Sequence, residues 1–274
     1  MAEVILNSQI TTKLSAKALL SASTKFWFAT TVVGQWIFAS YVLVFYGGAT
    51  FNGDIAQWNK VMPHGYVEGD LIGNLAVAVH LFLALIVLVG GPLQLIPTIR
   101  NKVPKFHRIN GRVYILTAFI LAIGGLFMVW TRGVAGADIG KYSISINALL
   151  ILLFAFMAVK NAIARNIKVH LKWAIRLFLV MGGVWFFRVG LMLWLMIHQA
   201  PVGFDPKTFE GPFLTFLGFA QFIVPLIFAE LYFKAAESTA NGAKFMMATT
   251  MSILALMTIG GIVAATMSMW LPRM

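Results

Sequence analysis

The sequence predicts an all-α, polytopic membrane bundle of about seven transmembrane helices, and three observations lead there. Only 11% of the residues are charged while 60% are hydrophobic, whereas a soluble domain covers its surface with roughly a quarter charged. The apolar runs reach about 20 residues or more, the length that crosses a hydrocarbon core of about 30 Å. The remaining cations gather in short loops between those runs, as membrane topology requires. A transmembrane β-barrel would show alternating segments of about 10 residues, and the sequence has none.

Along the chain, residues 1–25 lack the charged-then-apolar pattern of a cleaved signal peptide and read as a short cytoplasmic arm. Residues 26–274 then form a single transmembrane domain. Apolar runs between breakers place spans near 26–47, 71–97, 107–130, 143–164, 170–198, 212–235 and 245–270. The connection 48–70 carries Gly-Gly, Asn-Gly and Met-Pro-His-Gly turn signals. The stretch "GGPLQLIP", 90–97, should kink or end the second span, because proline has no backbone N–H to donate. Fifteen Lys and Arg residues, from Lys13 to Lys244, fall on one side, and five (Lys60, Arg132, Lys141, Lys207, Arg273) on the other. The positive-inside rule therefore sets the N-terminus in the cytoplasm and the C-terminus outside.

Several chemistries are excluded or left without support. The absence of cysteine removes disulfides, thiolate metal sites and cysteine nucleophiles. A net charge of +12 could attract nucleic acid, but its placement in the loops is explained by topology. Glu230 is the lone carboxylate inside a span, so no paired acid–base site supports hydrolysis. The last span has no lysine for a retinal Schiff base, and its Met, Thr and Gly residues read as close helix packing. "VVGQW" and "VAGADIG" are not phosphate loops.

Two cytoplasmic helix starts carry most of the remaining signal: "KFHRINGRVY", 105–114, and "NIKVHLKWAIR", 166–176. His107 and His170 begin spans three and five, where the helix dipole favours neutral imidazole, the form that ligates iron. Gly111 and Ala174 lie four residues after each histidine, on the same helical face, and would let a flat macrocycle approach. Arg108 with Arg112, and Lys172 with Arg176, are like-charge pairs at i,i+4, which repel unless an anion sits between them. One reading is a bis-histidine haem b with these four cations on its propionates, His107 and His170 serving as iron ligands. The plainer reading makes the same residues interfacial anchors for lipid headgroups, and a His-only zinc or copper site is a third.

A second group lies deeper. His80, Arg188 and Gln221 each fall roughly 13–15 Å below the outer surface, at 1.5 Å per residue. An arginine facing lipid at that depth costs several kcal/mol, so Arg188 should point inward, toward span two. With Asn147 and the aromatic wall of Trp185 these residues would line a pocket for a quinone, an anionic lipid or a small carboxylate. The alternative is a polar network that only joins helices.

His80, "GGPLQLIPTIR", "HRINGRVY", "HLKWAIR" and "WFFRVG" together resemble bacterial predicted membrane proteins catalogued as domain of unknown function 2306, over residues 70–235. That resemblance implies the topology and a bacterial inner-membrane location, and names no reaction. The histidine pair itself is similar to the membrane b-type cytochromes whose paired helices supply histidines. Those proteins carry four intramembrane histidines, and here spans four and six have none. The leading functional expectation is a quinone-linked electron-transfer protein holding haem b. Its rivals are a transporter or lipid- or anion-binding protein using the outer pocket, and an accessory subunit packed in a larger membrane complex.

Overall fold

The computed structural model describes residues 2–274, with side chains from residue 15 onward. It is helical throughout its spans, and among the described residues the only β pairing is an isolated bridge between Asp205 and Glu210. Six helices are long and apolar enough to cross a membrane unbroken, and one bent pair makes a seventh when its two halves count as one span. The all-α polytopic bundle predicted from composition is therefore what the chain forms.

Helix α1 (Ala2–Val42) passes through a π-helical turn, Leu43–Gly47, into the short α2 (Gly48–Phe51). The expected arm is thus helical from residue 2 and continuous with span one; the side chains of residues 1–14, Lys13 included, lie outside the described residues. Helix α3 (Leu71–Leu95) starts where Asp70 accepts the Gly73 N–H at 2.9 Å, the N-cap that satisfies an orphan donor. Pro92 lies inside α3 without ending it. The stop comes at Ile96, whose backbone is extended ahead of Pro97, as the residue before a proline prefers. After α4 (Pro97–Lys102), Pro104 opens α5 (Pro104–Arg132), and α6 covers Ile139–Ile163.

Span five departs from expectation. Instead of one helix over 170–198 it is two, α7 (Ile167–Met181) and α8 (Gly183–His198), bent by 56° at Gly182. Two adjacent glycines remove the side chains that would hold successive turns in line. Helix α9 (Pro212–Glu237) carries Pro225 inside it, and α10 (Asn241–Ala265) ends in a second π turn, Thr266–Trp270.

The broken span runs through the centre. Its first half, α7, lies against α6 and α9; its second half, α8, lies against α10 and α9. Around it α10, α1, α3, α5 and α6 follow one another as neighbours. Lipid tails are as apolar as leucine, so close backbone contact rather than hydrophobicity joins such helices. A β-carbon at Gly34 would lie 2.7 Å from Trp185 Cζ2, and one at Gly261 would lie 2.5 Å from Val189 Cγ1. Gly34 brings α1 onto Ile262 of α10 and the Trp185 ring, and Gly261 brings α10 directly onto α8. Aromatic side chains seal the same seam, with Phe38 5.2 Å from Trp270 between ring centroids.

Candidate functional site

On the face that carries the basic loops, the two most distinctive sequence motifs turn out to be one helix–helix lock. The carbonyl of Gly90 accepts from Asn110 Nδ2 at 2.9 Å. A β-carbon at Gly91 would lie 2.8 Å from Tyr114 Cε2, and one at Gly111 would lie 3.0 Å from the Gln94 side-chain amide. With its amide turned to satisfy both neighbours, Gln94 donates to His107 Nδ1 at 3.2 Å and accepts from the Gly111 N–H at 3.1 Å. The glycines of "GGPLQ" thus exist for the side chains of "HRINGRVY". The face of Gly111 expected to admit a macrocycle is covered by Gln94.

The second histidine has a different anchor. His170 Nδ1 lies 2.9 Å from the carbonyl of Ala158 in α6. A carbonyl only accepts, so His170 donates from Nδ1. Its neighbours Lys172 and Arg176 are answered from α9: Lys172 Nζ meets Glu237 and Arg176 Nε meets Glu230, each at 2.6 Å. The Arg176 guanidinium also lies 4.4 Å from the Trp173 ring and 5.2 Å from that of Phe233. The anion that the like-charge pair called for is the protein's own pair of carboxylates, so these two cations are not open to propionates. Arg108 and Arg112 are exposed and have no ion-pair partner among the described residues. No group of three or more His, Asp and Glu side chains able to hold a metal occurs among the described residues. The geometry therefore lends the haem arrangement no support.

The deeper residues do not share one pocket. His80 faces Gly125 of α5, with Cε1 3.8 Å from where a β-carbon would be. It lines a shallow apolar groove of about 300 Å³ with Leu75, Val79, Leu83, Ile120 and Leu121, and its Nδ1 has no partner. Arg188 turns the other way, toward α1, where its guanidinium carbon lies 5.3 Å from the Phe38 ring. Trp185 is buried behind Gly34. The expected approach of Arg188 to span two is replaced by an approach to span one, because helix rotation, unlike depth, is set by packing.

What does converge is the break in span five. Asn147 of α6 donates from Nδ2 to the carbonyl of Val180 at 3.1 Å, satisfying an acceptor near the end of α7. A β-carbon at Gly183 would lie 3.1 Å from Asn147 Nδ2 and 3.5 Å from Gln221 Oε1; one at Gly182 would lie 3.4 Å from Gln35 Nε2. Three amides from α1, α6 and α9 thus close on two glycines. Gln35 is 2% exposed and Gln221 8%, and Gln35 Oε1 and Asn147 Oδ1 have no hydrogen-bond partner. Pro225, four residues after Gln221, cannot donate to the Gln221 carbonyl and frees a further acceptor on α9. Gln35 lies within "VVGQW"; its one sequence signal is a lone amide in an otherwise apolar run.

On the opposite face a separate cluster ties loop to helix. Arg132 Nη2 meets Asp70 at 2.6 Å and Asn74 Oδ1 at 2.8 Å, and its Nη1 donates to the carbonyls of His64 and Gly65. The Arg132 guanidinium beside Asp70, helped by the Gly73 N–H, holds that carboxyl below the usual carboxylate range.

The fold and this arrangement define a polytopic helical membrane protein built around one interrupted, polar-lined span. The family described as predicted membrane protein, domain of unknown function 2306, matches residues 77–233, more than half of the chain, and the protein belongs to it. The match takes in the break, Asn147, Arg188 and Gln221, and stops short of Gln35 in α1 and of α10. No curated protein and no solved structure matches the chain.

Proposed function

We propose that this integral membrane protein is a carrier or binding protein for a small polar solute, recognised at the interruption of span five. One observation carries the reading: three amides from three helices meet at Gly182–Gly183, and two of their oxygens are buried without partners. An unsatisfied buried amide costs roughly 1–3 kcal/mol by protein mutational measures. A bundle that needed only to pack would place leucine there. Interrupted helices within a membrane are tolerated where they are buried in protein or line a cavity, and in secondary transporters they hold the substrate near the bilayer midplane. Here the amides pack directly on the glycines, so admitting a solute requires the two halves of span five to move apart. The glycine pair is where they hinge.

This reading replaces haem-linked electron transfer as the function best supported, since Gln94 covers Gly111 while Glu230 and Glu237 engage two of the four cations. It also gives the protein a role beyond packing in a larger complex. The test is a thermal-stability screen of the purified protein in nanodiscs against amino acids, hydroxy acids, sugars, polyols and quinone analogues. At least one polar class should raise the melting temperature, by an amount equivalent to about 2.7 kcal/mol at 100 times its Kd. Gln35→Leu combined with Asn147→Leu should remove that shift. A screen in which no polar solute acts would sink the proposal. So would a Soret band lost in both His107→Ala and His170→Ala, which would restore electron transfer.

A further inference from the structure

We infer that the solute bound at the break is an anion, a small carboxylate that carries its own N–H or O–H donor. The inference rests on the reading of the break as a binding site and names the chemistry that site selects.

Arg188 is the first reason. It is half-buried within the bundle, and no carboxylate among the described residues forms an ion pair with it. The ionisable groups that share its surroundings are the phenols Tyr41 and Tyr46, which are not counter-ions. Its Nη1 donates to the Val184 carbonyl at 3.2 Å, so the side chain folds back one turn, toward the start of α8. Side chains on a helix lean toward its N-terminus, and here that lean turns the cation toward the break.

The second reason is the break itself. Helix α8 begins at Gly183 and runs for 16 residues, so its first N–H groups lie beside the amides, next to the last carbonyls of α7, one of which Asn147 Nδ2 already covers. The independent pointer to a ligand is Gln35, 2% exposed, with its Oε1 unpaired and its Nε2 3.4 Å from the Gly182 β-carbon position. One turn further along α1, Phe38 lies over the Arg188 guanidinium at 5.3 Å. Cation and amide therefore occupy successive turns of one seam between α1 and span five.

These groups ask for different things. A guanidinium and a helix start both call for negative charge. The free oxygens of Gln35 and Asn147 call for donors. A simple carboxylate answers the first demand only, and a neutral polyol the second only. A carboxylate with an adjacent amino or hydroxyl group answers both.

Four probes on the full-length protein in nanodiscs test this: L-alanine, L-lactate, propionate and lactamide, read by thermal shift and by titration calorimetry. L-alanine or L-lactate should bind, propionate at least tenfold more weakly, and lactamide at least tenfold more weakly again. Arg188→Gln should weaken the preferred carboxylate at least tenfold, and Arg188→Lys should recover part of that loss without the planar fork. Gln35→Leu should erase the preference for lactate over propionate. Lactamide binding as tightly as lactate would overturn the charge assignment while leaving the break as a polar site. Sugars or polyols that bind while every carboxylate fails would do the same. Failure of all polar solutes would remove both proposals. Should Arg188→Gln not fold, the order of the four probes on the wild-type protein decides alone.

Discussion

Lys172 and Arg176, in the first half of the broken span, each have a carboxylate at 2.6 Å, whereas Arg188, in the second half, has none among the described residues. Both halves belong to one span, and both sets of cations are shielded by aromatic rings. The difference lies in what the neighbouring helix offers. Helix α9 places Glu230 and Glu237 seven residues apart, two turns on one face, opposite the i,i+4 cations of α7. Around Arg188, helix α1 and the π turn that follows it offer the ring of Phe38 and the phenols Tyr41 and Tyr46, and no carboxylate. A membrane charge with a partner inside the protein reads as structure; one without reads as function. The contrast separates the basic anchor of the bundle from its candidate site.

The largest effect that could break this comparison is all-or-none. The basic face is assigned to the cytoplasm, so a reporter active only in the periplasm should work when fused after Met274 and fail after Ala243. Activity from the second fusion would reverse the two ends and carry Arg188 to the cytoplasmic half.

Next in size is the paired half. Arg176→Leu leaves Glu230 without its partner and should lower the unfolding free energy by about 1–2 kcal/mol, between the values for an exposed and a buried pair. A fully buried pair would cost about 3–5 kcal/mol, but the half-exposed Glu230 is partly screened. Adding Glu230→Leu should recover most of that loss in a double-mutant cycle read by thermal unfolding. If the cycle shows no coupling, the pair is a surface contact and the comparison loses one side.

The unpaired half should respond less. Arg188→Leu removes a charge that no carboxylate compensates, so stability without ligand should stay within about 1 kcal/mol of wild type, or rise. A loss as large as that of Arg176→Leu would mean that Arg188 has a structural partner after all.

The smallest effect lies at Asp70. Its carboxyl is held below the usual range by Arg132, so the ion pair stabilises the fold while pH stays above the ordinary carboxylate value. That contribution is lost as pH falls through the lowered one. Asp70→Asn should lower stability in the neutral region and flatten this acid limb, so that variant and wild type converge at low pH. An unchanged limb would assign acid sensitivity to another carboxylate.

Much of the candidate site is legible in the chain itself. A polar residue in an apolar run is conspicuous, so Arg188, Asn147 and Gln221 stand out from the order of residues alone. Depth follows from counting, because each helical residue advances a fixed distance. Gln35 is equally countable, yet "VVGQW" draws the eye as a loop motif rather than as a buried amide. The counter-ions of Lys172 and Arg176 are not legible, since Glu230 and Glu237 lie more than fifty residues further on and only packing sets them opposite. The same is true of Gln94 on Gly111: each motif alone resembles a site, and the two make a lock together.

Transfer energies and chain geometry act residue by residue and need no partner. They suffice for the solvent, the number of crossings, the side on which the cations collect, and which residues are too polar to face lipid. The break of span five at Gly182, the opposite facing of His80 and Arg188, and the meeting of Gln35, Asn147 and Gln221 are of another kind. Each depends on helix rotation and on which helix lies beside which, and those are settled where small residues such as Gly34 and Gly261 let one backbone onto another. That is a property of pairs of surfaces, and no single helix carries it.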